Sequence, residues 1–208
     1  LKSFQDGMYQ IQDISSMLAG EYTAPKAGDT IVDVCGAPGG KSINAALKMS
    51  EQGDCGRVIA RDLSDYKVAL IDENIKRLNI TNIQTQVYDA LDCDESLINK
   101  ADIVIADLPC SGLGIIGRKP DIKYNASPEK LQSLVDLQRD ILKVVSRYVK
   151  SGGVLMYSTC TINRAENEDN ADWICKESGF TKDGEYHQLL PANNSGMDGF
   201  FVARLIKS

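Results

Sequence analysis

The chain is poor in the residues that build metal and nucleic-acid sites. It has one histidine, His187, and its six cysteines (35, 55, 93, 110, 160 and 175) include no Cys-x-x-Cys pair, which argues against a zinc centre. It contains no apolar run of the roughly 18 residues that a membrane span needs, and its N-terminus lacks the basic and apolar regions of a signal peptide. A cytoplasmic protein without a membrane partner is the expectation. Positive charge is also scarce: the net charge is −6, which opposes a simple phosphate-binding surface. The nearest basic cluster is Arg118, Lys119 and Lys123 beside Tyr124, a pattern that a solvated loop explains equally well. No repeat or low-complexity tract interrupts the 208 residues, of which 43% are hydrophobic and 25% charged. That suits one domain with a core large enough to stand without disulfide staples, so the cysteines read as reduced thiols.

What is present is an alternation of apolar runs with amphipathic segments. Strands are expected at 30–35, 57–62, 83–88, 102–107 and 153–158, each bounded by Gly, Asp, Asn or Pro. Helices are expected at 39–51, 64–78, briefly near 94–99, at 128–149 and at 165–178; Ser127-Pro128-Glu129 supplies a cap and a first-turn proline. Glu185–Leu190 and Gly199–Ile206 read as an antiparallel pair joined through Pro191-Ala192-Asn193-Asn194. The fold class is α/β, an open, doubly wound sheet that is mostly parallel with an antiparallel C-terminal hairpin.

Such sheets bind ligands outside the carboxyl ends of their strands. Those ends carry Cys35, Asp62, Asp89, Asp107 to Cys110, and Ser158 to Cys160. Any one acid could simply be a strand-stopping turn residue. The loop Asp33-Val34-Cys35-Gly36-Ala37-Pro38-Gly39-Gly40-Lys41-Ser42 nearly matches a P-loop, but Cys35 stands at the first required glycine; the dinucleotide spacing G-x-G-x-x-G fails as well. What remains is a tight turn that brings backbone N–H groups close to a ligand. Asp62 lies some twenty residues on, where an acid accepts both hydroxyls of a ribose. Cys110 and Cys160 have polar, loop-like neighbours (Pro109, Ser111, Gly112, Thr159), which favours a reactive site. Cys55, Cys93 and Cys175 are read as small core hydrophobes, Trp173 as core, and His187 as non-catalytic.

In order along the chain, Asp33–Ser42, Asp107-Leu108-Pro109-Cys110-Ser111-Gly112-Leu113-Gly114, and Ser158-Thr159-Cys160 with Glu166-Asn167-Glu168 resemble the Sun-type (RsmB-like) RNA cytosine-5 methyltransferases. The likeness extends from Gly7 and Gln12-Asp13-Ile14-Ser15 to Asp198-Gly199-Phe200-Phe201, and Arg118-Lys119-Pro120-Asp121-Ile122-Lys123-Tyr124 resembles the small-subunit branch. The chain departs from the usual pattern at Gly36, Tyr88, Leu108 and Leu113, none of which removes a reactive group.

The resemblance implies a Rossmann-like class I methyltransferase domain that uses S-adenosyl-L-methionine. Its cofactor shell would be Cys35, Gly36, Ala37, Pro38, Gly39, Gly40 and Lys41, with Asp62 on the ribose, Asp89 near the adenine and Asp107 lining the site. It implies Cys160 as nucleophile at cytosine C6, Cys110 as the thiol assisting its release, and Asp107 as the group contacting the base. The substrate would be RNA of 16S ribosomal type and the enzyme a monomer. Residues 1–24 are expected to form an extension packing on a catalytic domain at 25–208, with an upstream RNA-binding domain outside this chain. A nitrogen methyltransferase would share the loop but carry [DN]-P-P-[YF] in place of Asp107-Leu108-Pro109-Cys110, and would not need Cys160. A non-catalytic cofactor-binding assembly factor is the other alternative.

Overall fold

The computed structural model describes residues 1–53, 56–191 and 197–208. Five apolar runs form parallel strands: β1 (Thr30–Asp33), β2 (Arg57–Asp62), β3 (Ile83–Val87), β4 (Ala101–Asp107) and β5 (Val149–Thr159). Three further strands, β6 (Phe180–Lys182), β7 (His187–Leu189) and β8 (Phe200–Lys207), complete the sheet. The helices are α1 (Lys2–Gln5), α2 (Ile14–Thr23), α3 (Gly40–Glu51), α4 (Asp65–Leu78), α5 (Ile122–Asn125), α6 (Pro128–Val145) and α7 (Glu168–Ser178).

The strand order is β3-β2-β1-β4-β5-β8-β6, with β7 also on β8. The chain order therefore reverses between β1 and β4, and a ligand crevice opens at their carboxyl ends. Strand β8 runs antiparallel to β5 and carries β6 and β7 on its other edge. The expected hairpin is thus present, while its connection through Ala192 to Asn194, like Cys55, lies outside the described residues.

Several boundaries differ from the sequence expectation. Helix α6 stops at Val145 rather than 149, and β5 starts at Val149 rather than 153. The sequence hides this because Gly152 and Gly153 interrupt the apolar run, and the β4–β5 register shifts between Ala101 and Ile103. The helix expected from 165 opens with a 3₁₀ turn at Arg164–Glu166, and α7 proper starts at Glu168. Helix α2 and strand β6 were not expected. Strand β6 is three residues long, and Ile14 and Met17 of α2 are exposed, which blurs its helical periodicity.

Both faces of the sheet are covered, as continuous apolar strands require. One face packs Val104, Leu155 and Tyr157 against Ile141, Leu142 and Val145 of α6 and Ile174 of α7. The other packs Ile31, Ile103 and Met156 against Ala45, Ala46 and Met49 of α3 and Ala19 of α2. Burial of each of these larger side chains contributes about 1.5–3 kcal/mol. Side-chain oxygens of Ser64 and Ser127 cap α4 and α6, fixing where each helix leaves its loop. Trp173 is half-buried against the core beneath Arg139 and Lys143, Cys93 and Cys175 also pack there, and His187 stacks on Tyr22 with ring centres 4.2 Å apart. Among the described residues, no helix is long and apolar enough to cross a membrane.

Candidate active site

The loop after β1 reaches α3 through Gly39, whose φ of +104° is a conformation that favours glycine. This turn lies between two adjoining cavities, of about 360 and 440 Å³. The first contains Cys35 and Ala37 together with Asp62, Asp89, Asp107 and both Cys110 and Cys160. The second is bounded by the other side of the loop (Gly36, Pro38, Gly40), by Lys41 and by Gln12 and Ser16 of the N-terminal segment. The strand ends therefore bring the sequence candidates together, but the loop residues divide between two spaces.

Asp62 ends β2 with a buried carboxylate that accepts from the N–H groups of Ala37 (3.1 Å) and Leu63 (2.8 Å) and pairs with Lys67 at 3.0 Å. Asp89 is turned by the Leu91 N–H, which donates to its Oδ1 at 2.9 Å. Asp107 ends β4 with both oxygens engaged: Oδ1 accepts from Ser158 Oγ at 2.6 Å, and Oδ2 meets Lys41 Nζ at 2.5 Å. Lys41 thus points at Asp107, with Ser16 Oγ 3.3 Å from its ammonium and the Phe200 ring centre at 5.3 Å.

The two thiols meet across the ends of β4 and β5. Cys110 Sγ lies 3.1 Å from Cys160 Sγ and also accepts from the Cys160 N–H at 3.3 Å. A hydrogen bond from the Cys110 thiol holds Cys160 below the usual cysteine range; the Lys41 charge assists, while burial and Asp107 oppose. The same bond, joined by burial, pushes Cys110 up. Of the two, Cys160 is therefore the more readily ionised, and the thiolate is the reactive form of a cysteine. Cys35 is pushed up by burial and then by the surrounding carboxylates Asp33, Asp62 and Asp107, which makes it a poor nucleophile. Burial also raises Asp33 to about 6, although Ser42 Oγ donates to its Oδ2 at 2.6 Å.

The backbone sets the spacing of these loops. Gly114 N–H donates to the Cys160 carbonyl at 3.1 Å, and Gly199 N–H donates to the Gly114 carbonyl at 2.8 Å. A Cβ at Gly114 would stand 2.2 Å from the Gly199 oxygen and 2.8 Å from the Cys160 oxygen, so the approach requires glycine. Glu166, fully buried, accepts from Ser111 N–H (2.9 Å), Gln138 Nε2 (3.0 Å) and Asn163 Nδ2 (2.9 Å), fixing the residue after Cys110. Sequence reasoning named Ser158 only as a strand-end residue and Glu166 only as part of a motif, and it did not single out Ser16. The spacing Asn163-x-x-Glu166 is a helix-cap signal, and nothing in it reveals that the glutamate turns inward to Ser111. Arg118, read from sequence as part of a basic loop, forms ion pairs with Asp13 and Asp198. Tyr124 is exposed, with Lys123 over its ring.

A doubly wound sheet with an acid-ended β2, a glycine turn after β1 and polar and reactive groups at the ends of β4 and β5 defines a Rossmann-like domain with a nucleoside-cofactor crevice. The family model described as 16S rRNA methyltransferase RsmB/F matches residues 21–206, and the chain belongs to that family. It is 38% identical over 98% of its length to the "Probable ribosomal RNA small subunit methyltransferase B" of Bacillus subtilis, covering 49% of that protein. It is 34% identical over its whole length to the Synechocystis protein of the same description, covering 50% of it. The chain thus spans about half the length of these curated relatives. Among solved structures it resembles NSun6 from Pyrococcus horikoshii with SFG, at 28% identity and a TM-score of 0.87, covering all of this chain and 55% of that one.

Proposed function

We propose that this chain is the catalytic part of an S-adenosylmethionine-dependent RNA cytosine-5 methyltransferase acting on small-subunit ribosomal RNA. The observation that carries the reading is the 3.1 Å pairing of a low-pKa Cys160 with a high-pKa Cys110 at the mouth of the cofactor cavity. A methyltransferase acting on nitrogen has no use for a paired nucleophilic thiol.

The cavity residues suit the cofactor. Three carboxylates, Asp33, Asp62 and Asp107, surround the glycine turn and complement a ligand carrying sulfonium and ammonium charges, while Val34, Leu63 and Leu108 offer apolar contact to a purine. Asp62 would take the ribose hydroxyls and Asp89 the adenine, with Cys35 through Lys41 around the remainder. Bound there, S-adenosylmethionine supplies an electrophilic methyl group.

The protein's own task is to make cytosine C5 nucleophilic. Cys160 thiolate adds to C6; the C5–C6 double bond breaks and its electron pair shifts into C4–C5, leaving an enamine (C5=C4–NH2) that accepts the methyl group at C5. Asp107 accepts from the exocyclic amino group and contacts the N3 side of the ring. Lys41, already beside it, balances the negative charge that addition builds on the base carbonyl. The C5 proton then passes to a base, for which the Cys110 sulfur, once its own proton has gone to solvent, is the candidate; the C5–C6 double bond re-forms as the C6–S bond breaks, returning Cys160 as thiolate.

The test is methyl transfer from labelled S-adenosylmethionine to unmodified small-subunit ribosomal RNA by the full-length protein, followed by nucleoside analysis. 5-Methylcytidine formed by the intact enzyme and absent with Cys160→Ala is the expected result. A methylated nitrogen that survives that substitution would overturn the two-thiol reading.

A further inference from the structure

Beside the adenine end of the cavity lies a buried arginine that the reaction does not use. Arg61 sits next to Asp62 at the end of β2 and is only 4% exposed. On a strand covered on both faces an apolar residue is the ordinary choice, and replacing buried ionic groups by well-packed apolar ones is often neutral or stabilising. Arg61 carries a further cost, since its Nη1 is buried without a hydrogen-bond partner. Fold stability therefore gives little reason for an arginine here.

Its remaining contacts converge on one segment. Nε donates to Gln86 Oε1 at 2.8 Å, directly across the β2–β3 register, and Nη2 pairs with Asp94, the cap of the 3₁₀ turn Glu95–Leu97. The guanidinium centre lies 4.1 Å from the centre of the Tyr88 ring. Gln86 and Asp94 bracket residues 88–92, which include Tyr88 and Asp89 of the cavity lining. Tyr148 closes the bracket from below: its hydroxyl accepts from Asp94 N–H and donates to the Asp92 carbonyl. Tyr88 lines the cavity and Arg61 does not, so any influence of Arg61 on a ligand passes through that ring and its loop.

We infer that Arg61 is a positioning residue for cofactor binding, holding Tyr88 and the Asp89 loop as the adenine-side wall of the cavity through a cation–π contact and two anchored ends. The inference rests on the cofactor reading above. A planar guanidinium suits this task better than an ammonium, because it can lie over the ring while its N–H groups serve two acceptors in a fixed fork.

The test is calorimetric binding of S-adenosylhomocysteine and of 5′-methylthioadenosine, which keeps only the adenosine end, to wild type, Arg61→Leu, Arg61→Lys, Tyr88→Ala and the Arg61→Leu/Tyr88→Ala double variant. Arg61→Leu should weaken both ligands about tenfold and Arg61→Lys about threefold, since the lysine keeps the charge but loses the planar fork. The double variant should bind no worse than Tyr88→Ala alone, because the two residues act as one unit. In turnover, KM for S-adenosylmethionine should rise while kcat holds, a split that general loosening of the fold would not give. Affinity within twofold of wild type in Arg61→Leu, or losses that add independently in the double variant, would overturn the proposal. If Arg61→Leu does not fold, unchanged affinity in Arg61→Lys overturns it as well. A wild-type protein that binds neither ligand would instead remove the cofactor reading itself.

Discussion

Cys110 and Cys160, fifty residues apart in sequence, place their sulfurs 3.1 Å apart. Their mutual contact lowers the Cys160 pKa and raises that of Cys110, so the two thiols are unequal before any substrate arrives.

That inequality gives each cysteine a separate phenotype. Cys160→Ala should abolish methyl transfer, because no adduct can form. Cys110→Ala should slow adduct formation in part, because Cys160 loses the hydrogen bond that lowers its pKa, and slow release more, so a protein–RNA adduct stable to denaturing electrophoresis accumulates. Equal, adduct-free loss in both variants would contradict the assignment.

Selective alkylation reports the same inequality in the free enzyme. Iodoacetamide should modify Cys160 ahead of Cys35 and Cys110, with a rate profile whose midpoint falls below the ~8.5 of an ordinary thiol. Mass mapping after brief treatment identifies the labelled residue. Uniform labelling, or Cys35 first, would argue against Cys160 as the most readily ionised thiol.

Asp33 makes stability depend on acidity in a defined direction. Its pKa is raised from 3.8 to about 6 by burial, so the folded state holds this proton more tightly than the unfolded chain does. The group's contribution is complete below 3.8 and is lost as pH rises through about 6. Asp33→Asn should therefore flatten this part of the stability profile and stabilise the protein at pH 8 by on the order of 1–2 kcal/mol. Denaturant melts of both proteins at pH 4, 6 and 8 measure it.

Gly114→Ala tests whether backbone contact sets the thiol geometry. With its Cβ inside contact distance of the Cys160 and Gly199 carbonyls, alanine must push those segments apart. Cofactor affinity should hold while kcat falls at least about tenfold, the scale of a small misplacement at a reacting centre.

Glu166→Ala removes the common acceptor of Ser111 N–H and the Gln138 and Asn163 amides. Leaving these donors unpaired should cost about 3 kcal/mol, and Glu166→Gln less, because an amide keeps one acceptor oxygen. Chemical denaturation gives the difference, and activity at a temperature where both variants stay folded shows how far the Cys110 loop depends on it.

The parallel strands were legible because an apolar run between turn residues is a local property of the chain. So were the acids and thiols at their ends, since the fold rule states where a strand end must point. Direction within the site was not legible. Lys41 follows the glycine turn and was grouped with it, but its side chain reaches across to Asp107, a contact spanning 66 residues that no spacing rule encodes. Arg118 looked like free positive charge because Asp13 and Asp198, which face it, come from near opposite ends of the chain. Helix α2 escaped for a related reason: small residues such as Ala19 and Gly20 settle it onto α3, and Gly20 leaves no Cβ to clash with Asn44.

Strand β8 lies between β5 and the short strands β6 and β7, yet it is synthesised after all of them. Until it arrives, β5 presents a bare edge and Cys160 lacks the Gly199 main chain that braces its loop through Gly114. Closure of this sheet is a long-range event, slow on the scale of local helix formation. During translation, the glycine turn and its acids, all upstream of β8, can therefore take shape before the thiol pair is braced.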